Sequence, residues 1–100
     1  MTLVIKPFDV AEYLDTPEIV AAFLAETFRE GDASDIAHAL GTVARAKGMT
    51  EIAKRAGMSR EGLYKALSAD GHPEFTTILK VMKALDVDLT VTAKVLEPAE

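Results

Sequence analysis

The sequence predicts a mainly α fold: a helix-turn-helix bundle with an N-terminal helical extension and one C-terminal strand that pairs across a dimer. Three observations predict it. Apolar residues recur with a 3.6-residue period through most of the chain. Residues 49–68, MTEIAKRAGMSREGLYKALS, read as two short helices around a glycine turn. Residues 87–95 switch to a period of two. The expected organisation is an acidic helical extension over 1–33, a helix-turn-helix domain over 34–86, and a strand over 87–96 that serves dimerisation.

Taken in order, Phe8, Ala11 and Leu14 are spaced for one face of a short helical turn over 8–15. Thr16 then suits an N-cap, Pro17 needs no N–H partner at the first helical position, and Glu18 complements the helix dipole. The helix that follows, 17–30, carries Ile19, Val20, Phe23, Leu24 and Phe28 as a wide apolar stripe, with Gly31 as its C-terminal stop. The aromatics Phe8, Tyr13, Phe23 and Phe28 are expected in the core. Asp32 or Ser34 caps the next helix, 33–47, whose buried face is Ile36, Ala37, Leu40, Val43 and Ala44 before Gly48. The run Asp70-Gly71-His72-Pro73 reads as a turn. A helix over 75–85 places Ile78, Leu79, Met82 and Leu85 on its core face. In the strand, Val87, Leu89, Val91, Ala93 and Val95 alternate with Asp88, Thr90, Thr92 and Lys94. A lone strand needs a partner ladder, which either Leu3–Ile5 or a second copy would supply; the second copy is preferred, because two-fold pairing joins two chains back to back.

The stretch 49–68 has the residues that two closely crossing helices require. Ala53 is small where the helices cross, and Gly57 tolerates the positive φ of the turn. Ile52 and Ala56, Met58, and Leu63 and Ala66 point into the shared core from the first helix, the turn and the second helix. Thr50 and Ser59 stand where each helix needs a cap.

Length and composition set the frame for a function. One hundred residues, 49% apolar, suffice for one core. A chain this small buries only about 60–70% of its unfolded surface, which favours a homodimer. There is no cysteine, so disulfides and thiolate metal sites are excluded and a reducing cytoplasm is the expected location. No signal-peptide pattern and no membrane span of 18 or more apolar residues is read in the sequence. The net charge of −5 is unevenly spread: −5 over 1–33, +3 over 34–69 and −3 over 70–100. The basic middle third can meet a phosphate backbone with one face, whatever the mean charge.

The pattern at 49–68 resembles the phage-repressor, Xre/Cro type of helix-turn-helix. The likeness continues through Phe75, Ile78, Leu79, Val81, Met82, Ala84 and Leu85, which resemble the last helix of that five-helix domain. It implies that the second helix of the motif enters the major groove of double-stranded operator DNA. The outward residues there are Ser59, Arg60, Glu61, Tyr64, Lys65 and Ser68. Arg60 can hold guanine O6 and N7, Glu61 can accept from cytosine N4, and Tyr64 can touch a thymine methyl or a phosphate. Lys65 suits phosphate, as do Thr50 and Ser59 at helix starts and Thr76 and Thr77 at the start of the next helix. Many phage repressors begin both motif helices with glutamine; this chain has Thr50-Glu51 and Ser59-Arg60, so the bases those glutamines read do not carry over.

Over about residues 7–92 the order FDVAEYLD, TPEIVAAFLAETFREGD, ALGTVARAKGMTEIAKRAGMSREGLYKALS and GHPEFTTILKVMKALDVDL resembles the addiction-module antidote proteins, HigA-like antitoxins of type II toxin–antitoxin systems. The resemblance implies a homodimer that binds the promoter of its own operon and neutralises a cognate toxin of the RelE/ParE superfamily. An acidic 1–33 segment would attract a basic toxin. The competing readings are a free-standing repressor without a toxin, an interaction module that no longer binds DNA, and an enzyme. The last has little to draw on. His38 has serine and threonine at the i±4 positions, His72 precedes a proline, and there is no glycine-rich phosphate loop. No catalytic residue, metal ligand or cofactor is expected.

Overall fold

The computed structural model describes residues 13–68 and 70–95. Among these residues the chain is mainly helical, with α1 (Pro17–Glu30), α2 (Ala33–Lys47), α3 (Met49–Ala56), α4 (Arg60–Ala66) and α5 (Phe75–Ala84). The expected turn over 8–15 and the position of Phe8 lie largely outside the described residues. Of that segment, Leu14 is buried in the core and Tyr13 is 57% exposed.

α1 starts as its sequence dictates. Thr16 is the N-cap, its hydroxyl accepts from the Ile19 N–H at 3.2 Å, and Pro17 follows. Val20 and Leu24 are buried, and Phe23 and Phe28 pack against the core at its edge. Gly31 ends the helix with φ −88°, so it is not a left-handed stop. A glycine is needed there for another reason: a Cβ would lie 2.7 Å from the Thr27 carbonyl oxygen and 2.8 Å from Asp35 Cβ. α2 opens on a reciprocal capping box. Asp32 accepts from the Asp35 N–H at 2.9 Å, and Asp35 accepts from the Asp32 N–H at 3.0 Å.

α2 packs against both α1 and α3. Ala37, Leu40, Val43 and Ala44 are fully buried between α1 on one side and α3 on the other. Gly41 is buried too, because a Cβ there would stand 3.0 Å from the carbonyl oxygen of Leu67. The end of α4 thus reaches α2 over a glycine, a contact that no local pattern discloses.

Gly48 separates α2 from α3 with φ 109°. It is at once the end of α2 and the N-cap of α3, without a side-chain cap bond. Thr50 is therefore inside the first turn of α3 and not its cap, contrary to expectation. The left-handed glycine lets α3 begin directly, leaving no extended residue for Thr50 to be. Gly57 ends α3 in the left-handed region (φ 69°, ψ 33°), and Met58 N–H donates to the Ala53 carbonyl at 2.9 Å. Ser59 caps α4 as expected, its Oγ accepting from the Gly62 N–H at 2.9 Å. Ile52, Ala53, Ala56 and Leu63 are buried between the two helices, while Met58 and Ala66 are partly covered.

α5 packs on α3. Val81, Met82, Ala84 and Leu85 are buried and Ile78 is partly so. Leu79, expected in the core, is 42% exposed, and Phe75 is 62% exposed. The reason is angular: once Ile78, Val81, Met82 and Leu85 face inward, Leu79 is turned roughly 100° away from Ile78.

The C-terminal strand does not form. No strand is present among the described residues, and 87–95 carries no ladder. The alternation is there, but within one chain no second segment runs beside it, and Leu3–Ile5 lies outside the described residues. Val87 is buried and its N–H donates to the Met82 carbonyl at 3.1 Å. From Asp88 to Val95 every residue is exposed. One hydrophobic cluster runs from Leu14 through Val87, so α1 shares its core with the remainder of the bundle. No described helix is long and apolar enough to cross a membrane.

Candidate nucleic-acid interface

α4 is held by Leu63, which is fully buried, and by Leu67 just beyond its end. This fixes its opposite side outward. Ser59, Arg60, Glu61, Tyr64, Lys65 and Ser68 are all exposed. Glu61, Tyr64, Lys65 and Ser68 are the positions that the helical period places opposite the buried leucines, while Ser59 and Arg60 are exposed because they stand at the open N-terminal end of α4.

The exposed face is partly ordered by its own contacts. The Arg60 guanidinium stands over the Tyr64 ring, 5.6 Å from the centroid, one helical turn away. Such a contact at an exposed site contributes about 0.5–1 kcal/mol and stiffens both side chains. The Ser59 hydroxyl accepts the Gly62 N–H and keeps its own proton to donate. Ser68 is exposed, but its hydroxyl donates to the Lys65 carbonyl at 2.9 Å.

Two concavities flank α4. One is lined by Arg45, Gly48, Met49, Thr50, Glu51, Arg60 and Tyr64. It brings Thr50 to Arg60 and Tyr64, as a shared face requires, although Thr50 is not a cap. It also adds Arg45, from the last turn of α2, which the sequence alone places only in the basic third. Its sequence signal is its place: an outward basic residue four positions before the first motif helix. The other concavity is lined by residues that include Lys65, Ser68, His72, Glu74 and Thr77. Thr76 is exposed and Thr77 half-buried at the start of α5. Glu74, the residue before α5, adds a negative charge there and works against an anion at that end.

The basic residues of the middle third do not all serve this face. Arg55 pairs with Glu51 at 3.2 Å and with Asp86 at 3.7 Å, and it donates to the Ala84 carbonyl at 3.4 Å. It ties α3 to the end of α5. The same pairing offsets the charge of Glu51, which otherwise lies beside Arg60. His38 and His72 are exposed. No group of three or more metal-ligating side chains occurs among the described residues.

Residues 4–93 match the family described as "Probable addiction module antidote protein". The chain belongs to this addiction module antidote family. The antidote family therefore covers the whole described helical bundle, α1 included. A protein of Haemophilus influenzae (strain ATCC 51907 / DSM 11121 / KW20 / Rd), itself uncharacterized, is 50% identical over 91 residues, spanning 91% of this chain and 94% of the relative. No solved structure matches the chain. An antidote family implies a toxin to which its members answer.

Proposed function

We propose that the protein is the antitoxin of a type II toxin–antitoxin pair and also the repressor of its own operon. In this reading α3 and α4 are a phage-repressor-type helix-turn-helix of the HigA-like kind, and α4 is the helix that enters the major groove. The single observation that supports DNA binding best is the exposed α4 face, where Arg60 and Tyr64 line one concavity with Thr50 and Arg45 and Lys65 lies exposed on the other flank of the helix. Arg60 is the candidate base reader through guanine O6 and N7. Glu61 would accept from cytosine N4. Arg45, Thr50, Ser59 and Lys65 are candidates for backbone contacts, with Thr76 and Thr77 at the far side; Ser68 would first have to release its hydroxyl proton from the Lys65 carbonyl.

Operator binding by this class of motif calls for two copies. A homodimer would present two α4 helices to successive major grooves, about 34 Å apart. The antitoxin arm of the reading rests on the family. The partner would be a small basic toxin of the RelE/ParE superfamily, and the acidic residues of 1–33 supply charge complementarity to it. The chain itself carries no enzymatic activity in this reading and works in the cytoplasm, where both DNA and toxin are found.

Two measurements test it. Co-expression with the product of the neighbouring gene should relieve that product's toxicity, and the two proteins should co-purify. A mobility shift on the upstream promoter should appear at low salt and weaken steeply as salt rises. A shift without toxin relief would leave a free-standing repressor; relief without any shift would leave an interaction module.

A further inference from the structure

Residues 87–95 pose a question that the isolated chain does not answer. Their apolar row begins in the core and walks out of it: Val87 is 8% exposed, Leu89 40%, Val91 93% and Val95 92%. The segment alternates strictly, yet it carries no ladder. Its backbone donors and acceptors and its outer valines are thus presented together on one exposed stretch.

The sequence of this stretch is complementary to itself when reversed about its centre. If two copies run antiparallel with Val91 opposite the partner's Val91, then Thr90 faces the partner's Thr92 and Leu89 the partner's Ala93. Asp88 then faces the partner's Lys94, and Val87 the partner's Val95. Every pair joins like with like in polarity, and the two charged residues meet as opposite charges, once at each end. Parallel pairing in register would set Asp88 against Asp88 and Lys94 against Lys94, which is destabilising for directly opposed residues. A slip of one residue would turn the apolar row to the wrong face. A slip of two would take Asp88 away from its partner lysine. The first half of the segment lies against α1: Val87, Asp88, Leu89, Thr90 and Thr92 line a cavity of about 360 Å³ with Leu24, Ala25 and Phe28.

We infer that residues 87–95 form the dimer contact: a two-stranded antiparallel ribbon between two copies of this chain, with its two-fold axis at Val91. This rests on the homodimer reading above and specifies its geometry. The strand is then a property of the dimer and is absent from the single chain.

The full-length protein tests this by its association state and by disulfide trapping. Sedimentation equilibrium should give a dimer for the unaltered chain. Asp88→Lys or Lys94→Asp alone should weaken dimerisation by roughly ten-fold, since each sets like charges at both ends. The double exchange D88K/K94D should restore it. Because the chain has no cysteine, V91C provides a clean trap. Opposed residues have Cα atoms about 4.5–5.5 Å apart, within disulfide reach, so V91C should cross-link on mild oxidation. A93C should not, because the two copies of residue 93 would be about 13 Å apart along the strand. Circular dichroism should show unchanged helix content, as all four sites are exposed. A dimer that ignores both charge exchanges and fails to trap through V91C would overturn the ribbon while leaving the homodimer intact. An unaltered chain that stays monomeric at tens of micromolar would overturn both.

Discussion

Arg60 and Tyr64 lie one turn apart on α4 with the guanidinium over the ring, and this pair makes the sharpest residue-scale prediction. Under the proposed operator binding, Arg60→Ala should cost about 1–3 kcal/mol of affinity and relax selectivity at one base pair, measured by mobility shift on matched and mismatched sites. Lys65→Ala should behave differently. A phosphate contact carries no sequence information, so binding should weaken evenly on all sequences and the salt slope should fall by about one. Arg55 provides the contrast among the basic residues. Its charge is engaged by Glu51, Asp86 and the Ala84 carbonyl, so it serves the fold. Its two ion pairs are half exposed and each contributes at most about 1 kcal/mol. The outward positions of Glu61, Tyr64, Lys65 and Ser68 were legible in the sequence, because a 3.6-residue period with Leu63 inward turns them away from the core. Arg45 was not, because it enters that face from another helix.

At the scale of elements, the stability of the α3–α4 unit depends on its turn. Gly57 at φ 69° is open in space but strained for any side chain, so Gly57→Ala should destabilise by roughly 1 kcal/mol or more, read as a shift in the denaturation midpoint. Ser59→Ala removes the α4 cap and should cost about 1 kcal/mol in the same measurement. In α5 the angular position of each residue decides the cost. Val81 is fully buried and Leu79 is 42% exposed. Leu79→Ala should therefore cost far less than a truncation of the same size at Leu40, which is fully buried in α2 and should cost about 2–5 kcal/mol. The helix starts were mostly readable: Thr16, Asp32 and Ser59 all cap as their residue types and positions suggest. Thr50 does not cap α3, because Gly48, two residues before it, takes a positive φ and lets α2 and α3 meet without a linker.

For the whole molecule, the shared core joins the acidic N-terminal third to the remainder. Val20 and Leu24 of α1 are buried in the same cluster as Leu40, Ile52 and Val81. Deleting residues 1–33 should thus expose the α1-facing side of α2 and abolish the cooperative thermal transition, measured by circular dichroism; a sharp transition in the truncated chain would show that α1 is dispensable for folding. The amino-acid sequence alone determined the helical class, the extents of α1 and α2, the glycine turn at 57 and the outward residues of α4. Each of these follows from local rules: periodicity, caps and the φ that glycine permits. Only the tertiary structure decided which apolar residues of α5 face inward, why Gly31 and Gly41 have no side chain, where Arg45 and Arg55 are directed, and that 87–95 forms no strand in a single chain. These depend on what another segment brings close, and a strand above all depends on a neighbour, since its hydrogen bonds are made outside itself.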